Sequence, residues 1–392
     1  MNILQVSHSF YPCLDAGGVV RVVYEISKEL VAKGHNVTVY TTDGCTKRLN
    51  VEKNVGVSVD GIKVYYFRNL SNKLRIKLKI ATPYHLFRVI KKEIKNFDVI
   101  HIHEHRTILA VVVHHYAKKY GVPYVVQAHG SVMPIFQKSL FKKVFDKIWG
   151  QKILNDASKV IALTKTESEQ YQKMGVPEDK IEIVPNGINL SEYQNLPRKG
   201  QFKKKYGIKN SEKVILYLGR LHKTKGIDLL IKTFSEISKE LDNVKLVIAG
   251  PDDGFLTYLK DLSTNLMLNN NLIFTGPIYK NEKRAAYVDA DVFVTPSFSG
   301  FPMTFLESCA CGTPIVTTSN GNNLSWINNE VGFVVGYDVN HLNHAILDIV
   351  RNEELKFKFG KNGKDIVIKK FNWNKVSKTL ENIYKTCMEN MK

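Results

Sequence analysis

Short β-branched runs recur along the whole chain, and nearly every one is followed by a stretch of helical periodicity. In the first half they are "NILQVS", "NVTVYTT", "FDVIHIH", "PYVVQAHG" and "SKVIALT". In the second they are "KVILYLG", "NVKLVIAG", "NLIFTG", "ADVFVTPS", "TPIVTT" and "VGFVVG". Runs this apolar, with helices between them, predict parallel strands buried on both faces. The pattern therefore implies an α/β protein of two doubly wound, Rossmann-like units. A length of 392 residues also exceeds what one core usually serves. Each half opens on strand, Gly-containing loop, helix and strand, and the hexapeptide "EISKEL" occurs in both opening helices. This likeness suggests two similar domains facing each other across a cleft. The polar stretch "PNGINLSEYQNLPRKGQFKKKYG", which carries Pro, Gly and Asn, reads as the connection between them.

Composition narrows the class. A formal charge of +19 points to anionic partners without choosing among nucleic acid, anionic lipid and phosphorylated metabolites. The opening "MNILQVSHSFYP" lacks a basic n-region and a long apolar core, so it does not read as a signal peptide. No apolar run approaches the roughly 18 to 20 residues that span a bilayer. The cysteines are few and odd in number, which fits reduced thiols and a cytoplasmic location better than a disulfide framework. Cys309 and Cys311 form C-x-C with no second thiol pair, a poor match to zinc-ligand spacing.

Ligands of open parallel sheets bind beyond the carboxyl ends of the strands, so the residues there are the candidates. Gly17 and Gly18 follow the first strand and open a helix, where backbone can approach an anion; a plain strand-to-helix turn would also use them. His129 and Gly130 follow "PYVVQA", so an imidazole can reach out from that edge, or cap a turn. In "HIHEH", alternation would place His101, His103 and His105 on one face, but the run crosses the strand end and no carboxylate or thiol set completes a metal site. Arg220 and Lys225, in "GRLHKTKG", offer a planar fork and a mobile point charge, a pair suited to a diphosphate. The stretch "PSFSGFPMTFLESCACGTPIVTT" leaves a strand, turns, and enters a helix whose first N–H groups can hold phosphate. Glu307 follows about one turn on, placed to accept hydrogen bonds from hydroxyls rather than to act as an acid.

Taken together, "GGVVRVV", "DVIHIHE", "AHG", "VIALT", "VPNGIN", "LGRLHKTKG", "FTGPI", "GFPMTFLESCACGTPIV" and "FNWNKVSKTLENIYK" make the chain resemble the family-4 retaining glycosyltransferases of GT-B architecture. The resemblance covers nearly the whole length. It implies an acceptor-side domain over residues 1–190, a nucleotide-sugar domain over 200–370, and a helix over 371–392 that crosses back to the first. It implies that Arg220 and Lys225 hold the donor diphosphate, that Glu307 binds the ribose, and that the backbone of Phe301, Pro302, Met303 and Thr304 meets phosphate and sugar. Gly17 and Gly18 would approach the phosphate, His129 the transferring sugar, Ile278 the base, and Asn186 the donor. No metal and no cofactor are expected beyond the nucleotide diphosphate sugar as co-substrate. Ser299 is the departure: the family commonly has a glutamate eight residues before the position of Glu307. Serine is shorter and neutral, so it bears on which hexose fits rather than on the reaction.

The expected activity is thus transfer of a hexose to a hydroxyl of a glycan or glycolipid acceptor in cell-surface polysaccharide biosynthesis. The alternatives are a sugar-nucleotide epimerase of the same two-domain shape, or a basic nucleic-acid-binding protein. The first would need carboxylates for proton abstraction, and no convincing set is evident. The second would need basic residues interleaved with aromatics in a nucleic-acid module, which are not evident either. A peripheral location at the inner face of the cell membrane is suggested by residues 137–154, "QKSLFKKVFDKIWGQKIL", where Phe141, Val144, Phe145, Ile148 and Trp149 recur at helical spacing among lysines. Residues 68–96 are also strongly basic. Such a helix suits an anionic membrane surface, or its apolar stripe packs on the first domain's sheet.

Overall fold

In the computed structural model, residues 1–13, 17–72, 80–83, 85–133, 139–268, 270–298, 300–319 and 324–390 are described. The chain divides into two units, Met1–Gly187 with Trp373–Lys392, and Ile188–Asn372. All eleven apolar runs form strands, and their burial explains why they contain so little alternation.

The first unit holds an eight-stranded sheet in the order β3-β4-β2-β1-β5-β6-β7-β8. The strands are β1 (Asn2–Val6), β2 (Asn36–Thr42), β3 (Gly56–Val59), β4 (Ile62–Phe67), β5 (Val99–His103), β6 (Tyr124–Gln127), β7 (Lys159–Ala162) and β8 (Ile181–Ile183). All neighbours are parallel except β3 and β4. That hairpin turns at Asp60 and Gly61, both with positive φ (51° and 80°), as a tight two-residue hairpin requires. Leu4, Val6, Ile100, Ile102 and Val126 face one core with helix Ile108–Tyr120. The opposite face carries Gln5, His101, His103 and Gln127, all buried. The C-terminal helix Trp373–Glu389 lies in this unit and packs against helix Gly18–Ala32 and β5. Its buried Val376, Leu380, Ile383, Tyr384 and Cys387 recur at the three- and four-residue spacing of one helical face.

The second unit holds six parallel strands in the order β11-β10-β9-β12-β13-β14. They are β9 (Lys213–Leu218), β10 (Val244–Ala249), β11 (Leu272–Gly276), β12 (Val292–Thr295), β13 (Ile315–Thr318) and β14 (Gly332–Val335). Helices Ile227–Glu240 and Val339–Arg351 cover one face with Leu230, Ile231, Phe234, Ile346 and Val350. Each such side chain contributes about 1.5–3 kcal/mol when fully buried.

Two expectations are corrected. Cys13 and Cys45 form a disulfide, with Cα atoms 5.6 Å apart; Cys309, Cys311 and Cys387 are buried thiols. Parallel β1 and β2 are sheet neighbours, so the segments leaving them emerge side by side, although 32 residues separate the two cysteines. The stripe on residues 137–154 does not pack on the sheet. Helix Ser139–Phe145 continues through a wide turn at Asp146–Gly150, and Phe141, Val144, Ile148 and Trp149 are exposed, Phe141 by 77% and Trp149 by 43%. Residues 137 and 138 lie outside the described residues, as do parts of 68–96. The inward group is Asp146, which both nitrogens Nε and Nη2 of Arg106 grip at 2.7 Å. A helix that turns a carboxylate inward leaves its apolar side out. Among the described residues, no helix is long and apolar enough to cross a membrane.

Candidate functional site

The strand order points to a candidate site in the second unit. The chain runs outward from β9 to β10 and β11, then returns to lay β12 on the other side of β9, so the direction of winding reverses between β9 and β12. Ligands of such sheets usually bind at this point, beyond the carboxyl ends of the two strands. Gly226 closes the first loop at φ 65° and starts helix Ile227–Glu240. A β-carbon on it would stand 3.0 Å from Pro296 Cβ, so the β9 and β12 loops meet there. Gly250, leaving β10, is forced similarly: a β-carbon would lie 1.8 Å from the Gly219 carbonyl oxygen.

Lys225 sits half-buried in the short turn Lys223–Lys225. Burial, and then the neighbouring Arg220 guanidinium, lower its pKa. No carboxylate pairs with it among the described residues. Arg220 is 59% exposed in its side chain and donates through Nη1 to Asp253 Oδ2 at 2.6 Å. From the β12 side, Pro302 precedes helix Met303–Cys311, whose first turn has neither a side-chain cap nor an acidic residue. The N–H groups of Met303 and Thr304 therefore keep the partial positive charge of a helix start. The Phe301 ring is turned away into a cluster with Trp326 and Phe371, at centroid distances of 5.9 and 5.4 Å. The ring is thus engaged within the fold, and only the backbone of Phe301 is left as a candidate ligand contact. Ser299 lies outside the described residues.

Glu307 is 3% exposed. Lys283 Nζ donates to its Oε1 at 2.6 Å, and the Tyr287 hydroxyl to Oε2 at 3.3 Å. Both partners come from helix Lys280–Asp289, so Glu307 is fixed from a second element. Burial, with Glu307 beside it, pushes the Tyr287 hydroxyl far above its ordinary pKa, which keeps it a donor. Ile278 is buried just beyond β11, at the outer edge of the sheet.

The first sheet reverses its winding between β1 and β5. Gly17 has φ 103°, which favours glycine, and helix Gly18–Ala32 begins without a side-chain cap or an acidic first turn. Among the described residues, and apart from the adjoining backbone, no atom lies within 4 Å of where a β-carbon on either glycine would stand. His8 Nδ1, beyond β1, meets Glu104 Oε2, beyond β5, at 2.5 Å. His129 follows β6 with φ 54°, a conformation histidine tolerates better than most residues. Its loop is braced on both sides: the Ala128 N–H donates to Tyr171 Oη at 2.9 Å, and the Gly130 N–H to Glu167 Oε1 at 2.6 Å. Arg106 adds bonds to the Ser131 and Val132 carbonyls. His129 Nε2 lies 2.8 Å from His103 Nδ1. Burial lowers the pKa of His129 to about 4 and, with help from His129, that of His101 to about 3; His103 is also held well below the usual range. His101 and His103 share a face with stacked rings, whereas His105 lies past the strand end beside Asp146. Asn186 is buried at the end of this unit. Among the described residues, no group of three His, Cys, Asp or Glu is disposed to hold a metal ion.

The sequence-predicted residues thus fall into two sets. Arg220, Lys225, Phe301, Pro302, Met303, Thr304, Glu307 and Ile278 belong to the second unit, and Gly17, Gly18, His129 and Asn186 to the first. Sequence reasoning missed Asp253, Lys283 and Tyr287, whose partners are distant in the chain. It also missed Glu167, although Thr164-x-x-Glu167 is a legible helix-start signature, with Thr164 Oγ1 accepting from the Glu167 N–H at 3.1 Å.

Residues 16–192 match the family described as Glycosyltransferase Family 4, and residues 198–366 match Glycosyl transferases group 1. The chain belongs to glycosyltransferase family 4. An uncharacterized glycosyltransferase of Methanocaldococcus jannaschii is 28% identical over 402 residues, covering all of both chains. The alpha-monoglucosyldiacylglycerol synthase of Streptococcus pneumoniae is 26% identical over 356 residues, 89% of this chain and 78% of that one. The crystal structure of Anabaena HepE in complex with UDP covers 98% of this glycosyltransferase and all of its own chain, with a TM-score of 0.80 at 18% identity. That likeness shows the GT-B fold.

Proposed function

We propose that this glycosyltransferase moves a hexose, with retention of configuration and without a metal ion, from a nucleoside diphosphate sugar to a hydroxyl of a membrane-held glycolipid or glycan precursor in cell-surface polysaccharide biosynthesis. The observation that carries the donor reading is the sheet edge beyond β9 and β12, where Arg220 and Lys225, which pairs with no carboxylate among the described residues, stand with the uncapped helix start at Met303. A diphosphate is the ligand whose charge and paired oxygens match those three donors. Glu307, held by Lys283 and Tyr287, keeps acceptor capacity for ribose hydroxyls. UDP is the first nucleotide to test, because the Anabaena relative in fold was crystallised with it.

The two cations supply the charge stabilisation that a metal would otherwise give to the leaving diphosphate. The C1–O bond to the diphosphate breaks as the acceptor oxygen bonds C1 on the same face, and the acceptor proton passes to the departing phosphate oxygen. The acceptor reading rests on the exposed Phe141, Val144, Ile148 and Trp149 flanked by Lys142, Lys143 and Lys147, a surface suited to anionic lipid. The name of the Streptococcus pneumoniae relative is consistent with a lipid acceptor. A panel of UDP-, GDP- and ADP-hexoses, assayed for hydrolysis and for transfer to lipid extracts in EDTA, tests the proposal. An α-linked product from an α-linked donor is expected. A β-linked product, or dependence on added divalent metal, would overturn it.

A further inference from the structure

Behind His129 lies a line of buried polar groups that the proposed transfer reaction does not use. His129 Nε2 is 2.8 Å from His103 Nδ1, and His103 Nε2 is 2.7 Å from Gln5 Oε1. Gln5 Nε2 is 3.5 Å from the Tyr384 hydroxyl, which is 2.7 Å from His101 Nδ1. The buried His101 Nε2 and Gln127 Oε1 make no hydrogen bond among the described residues. Three strands and the C-terminal helix contribute to this line, so none of it is visible as a local motif.

The donors and acceptors can be counted along it. Burial keeps all three imidazoles neutral, so each has one N–H and one lone pair. A carbonyl oxygen only accepts, so Gln5 Oε1 takes its bond from a protonated His103 Nε2. The Gln5 amide donates to the Tyr384 oxygen, so the Tyr384 hydroxyl, which burial prevents from ionising, donates to His101 Nδ1. His103 Nδ1 must accept in turn, and the His129 Nε2–H supplies that bond. Every step has one sense. Reversal would turn the Gln5 amide over and put the tyrosine proton on the 3.5 Å contact instead of the 2.7 Å one.

We propose that Gln5 and Tyr384 are positioning residues that hold His129 in a single tautomer, with Nδ1 bare, so that His129 accepts a hydrogen bond from a ligand hydroxyl. This rests on the reading of His129 as a contact of the transferred sugar. It adds that the contact has a defined sense, and that the C-terminal helix sets it. A neutral acceptor takes a sugar hydroxyl and rejects a phosphate oxygen, which has no proton to give.

The test uses the full chain with 15N-labelled histidine. Long-range 1H–15N spectra, assigned for His129 through loss of its signals in His129→Ala, should show a protonated Nε2 and a bare Nδ1. Tyr384→Phe removes one hydroxyl from a buried ring of the same shape. It should give mixed His129 tautomers and lower kcat about tenfold with donor KM unchanged, the equivalent of one lost hydrogen bond. Gln5→Met breaks the line at a different strand and should give the same spectrum, which covers the case that Tyr384→Phe folds poorly. A protonated Nδ1 on His129 in the unaltered protein would overturn the proposal, as would unchanged tautomer signals in both variants. Full kcat in His129→Ala would instead overturn the sugar-contact reading, and it leaves the spectra to decide the line of bonds.

Discussion

Lys225 gives a prediction in which stability and activity move in opposite directions. Its ammonium is half-buried with no paired carboxylate among the described residues, and burial and Arg220 both work against its charge. Lys225→Met keeps the length and the apolar stem and removes that charge. For a partly solvated cation the relief is up to about 1 kcal/mol, which raises Tm by about 2–4 °C in a unit this size. The contact with a diphosphate is worth about 3 kcal/mol in the transition state, so kcat/KM should fall at least 100-fold. Ligand linkage gives a second readout. UDP at about a hundred times its Kd adds about 2.7 kcal/mol to the native chain. If the variant binds about 150-fold more weakly, the same concentration adds less than about 0.5 kcal/mol. Thermal unfolding with and without UDP, beside steady-state transfer, measures all three quantities. A variant that melts more than about 2 °C below the native chain would show that Lys225 serves the fold. One that UDP stabilises as well as the native chain would show that the site does not grip the diphosphate through this residue.

Replacing Lys142, Lys143 and Lys147 by Glu should abolish sedimentation with vesicles containing acidic lipid, since each lysine near the surface contributes about 1 kcal/mol. Equal binding of the native chain to neutral and acidic vesicles would refute the docking surface. Acid should destabilise the chain early. His101, His103 and His129 have folded pKa values below the unfolded value of about 6.5, so their contribution is complete above that pH and is lost as pH falls toward 4. Each contributes a slope of up to about 1.4 kcal/mol per pH unit, and Glu167, raised by burial, opposes with at most one proton. Urea midpoints at pH 7, 6 and 5 should fall in that order, and a flat series would contradict the buried neutral imidazoles.

What the sequence determines by itself is local. Runs such as Val214–Leu218 and Val292–Thr295 read as buried strands because their residue types leave few other choices. Gly17 and Gly226 mark turns where backbone dihedrals are unusual, and Arg220, Lys225 and Glu307 stand out because polar residues at strand ends have a small set of uses. The Asp60-Gly61 turn was equally local, yet a search for continuous apolar runs passes over strands that alternate, as Val57 to Ile62 do. Tertiary structure decides the rest. Only the sheet order shows that β9 and β12 are neighbours, and so that the Lys225 and Met303 loops leave the same sheet edge side by side. Only tertiary packing brings Lys283 to Glu307, Tyr384 to His101 and Asp253 to Arg220, pairs separated by 24 to 283 residues. Nothing in the composition of residues 139–150 tells which side faces in. Asp146 does, because a carboxylate bound to Arg106 is satisfied inside the fold, and the apolar residues opposite it are then left on the surface.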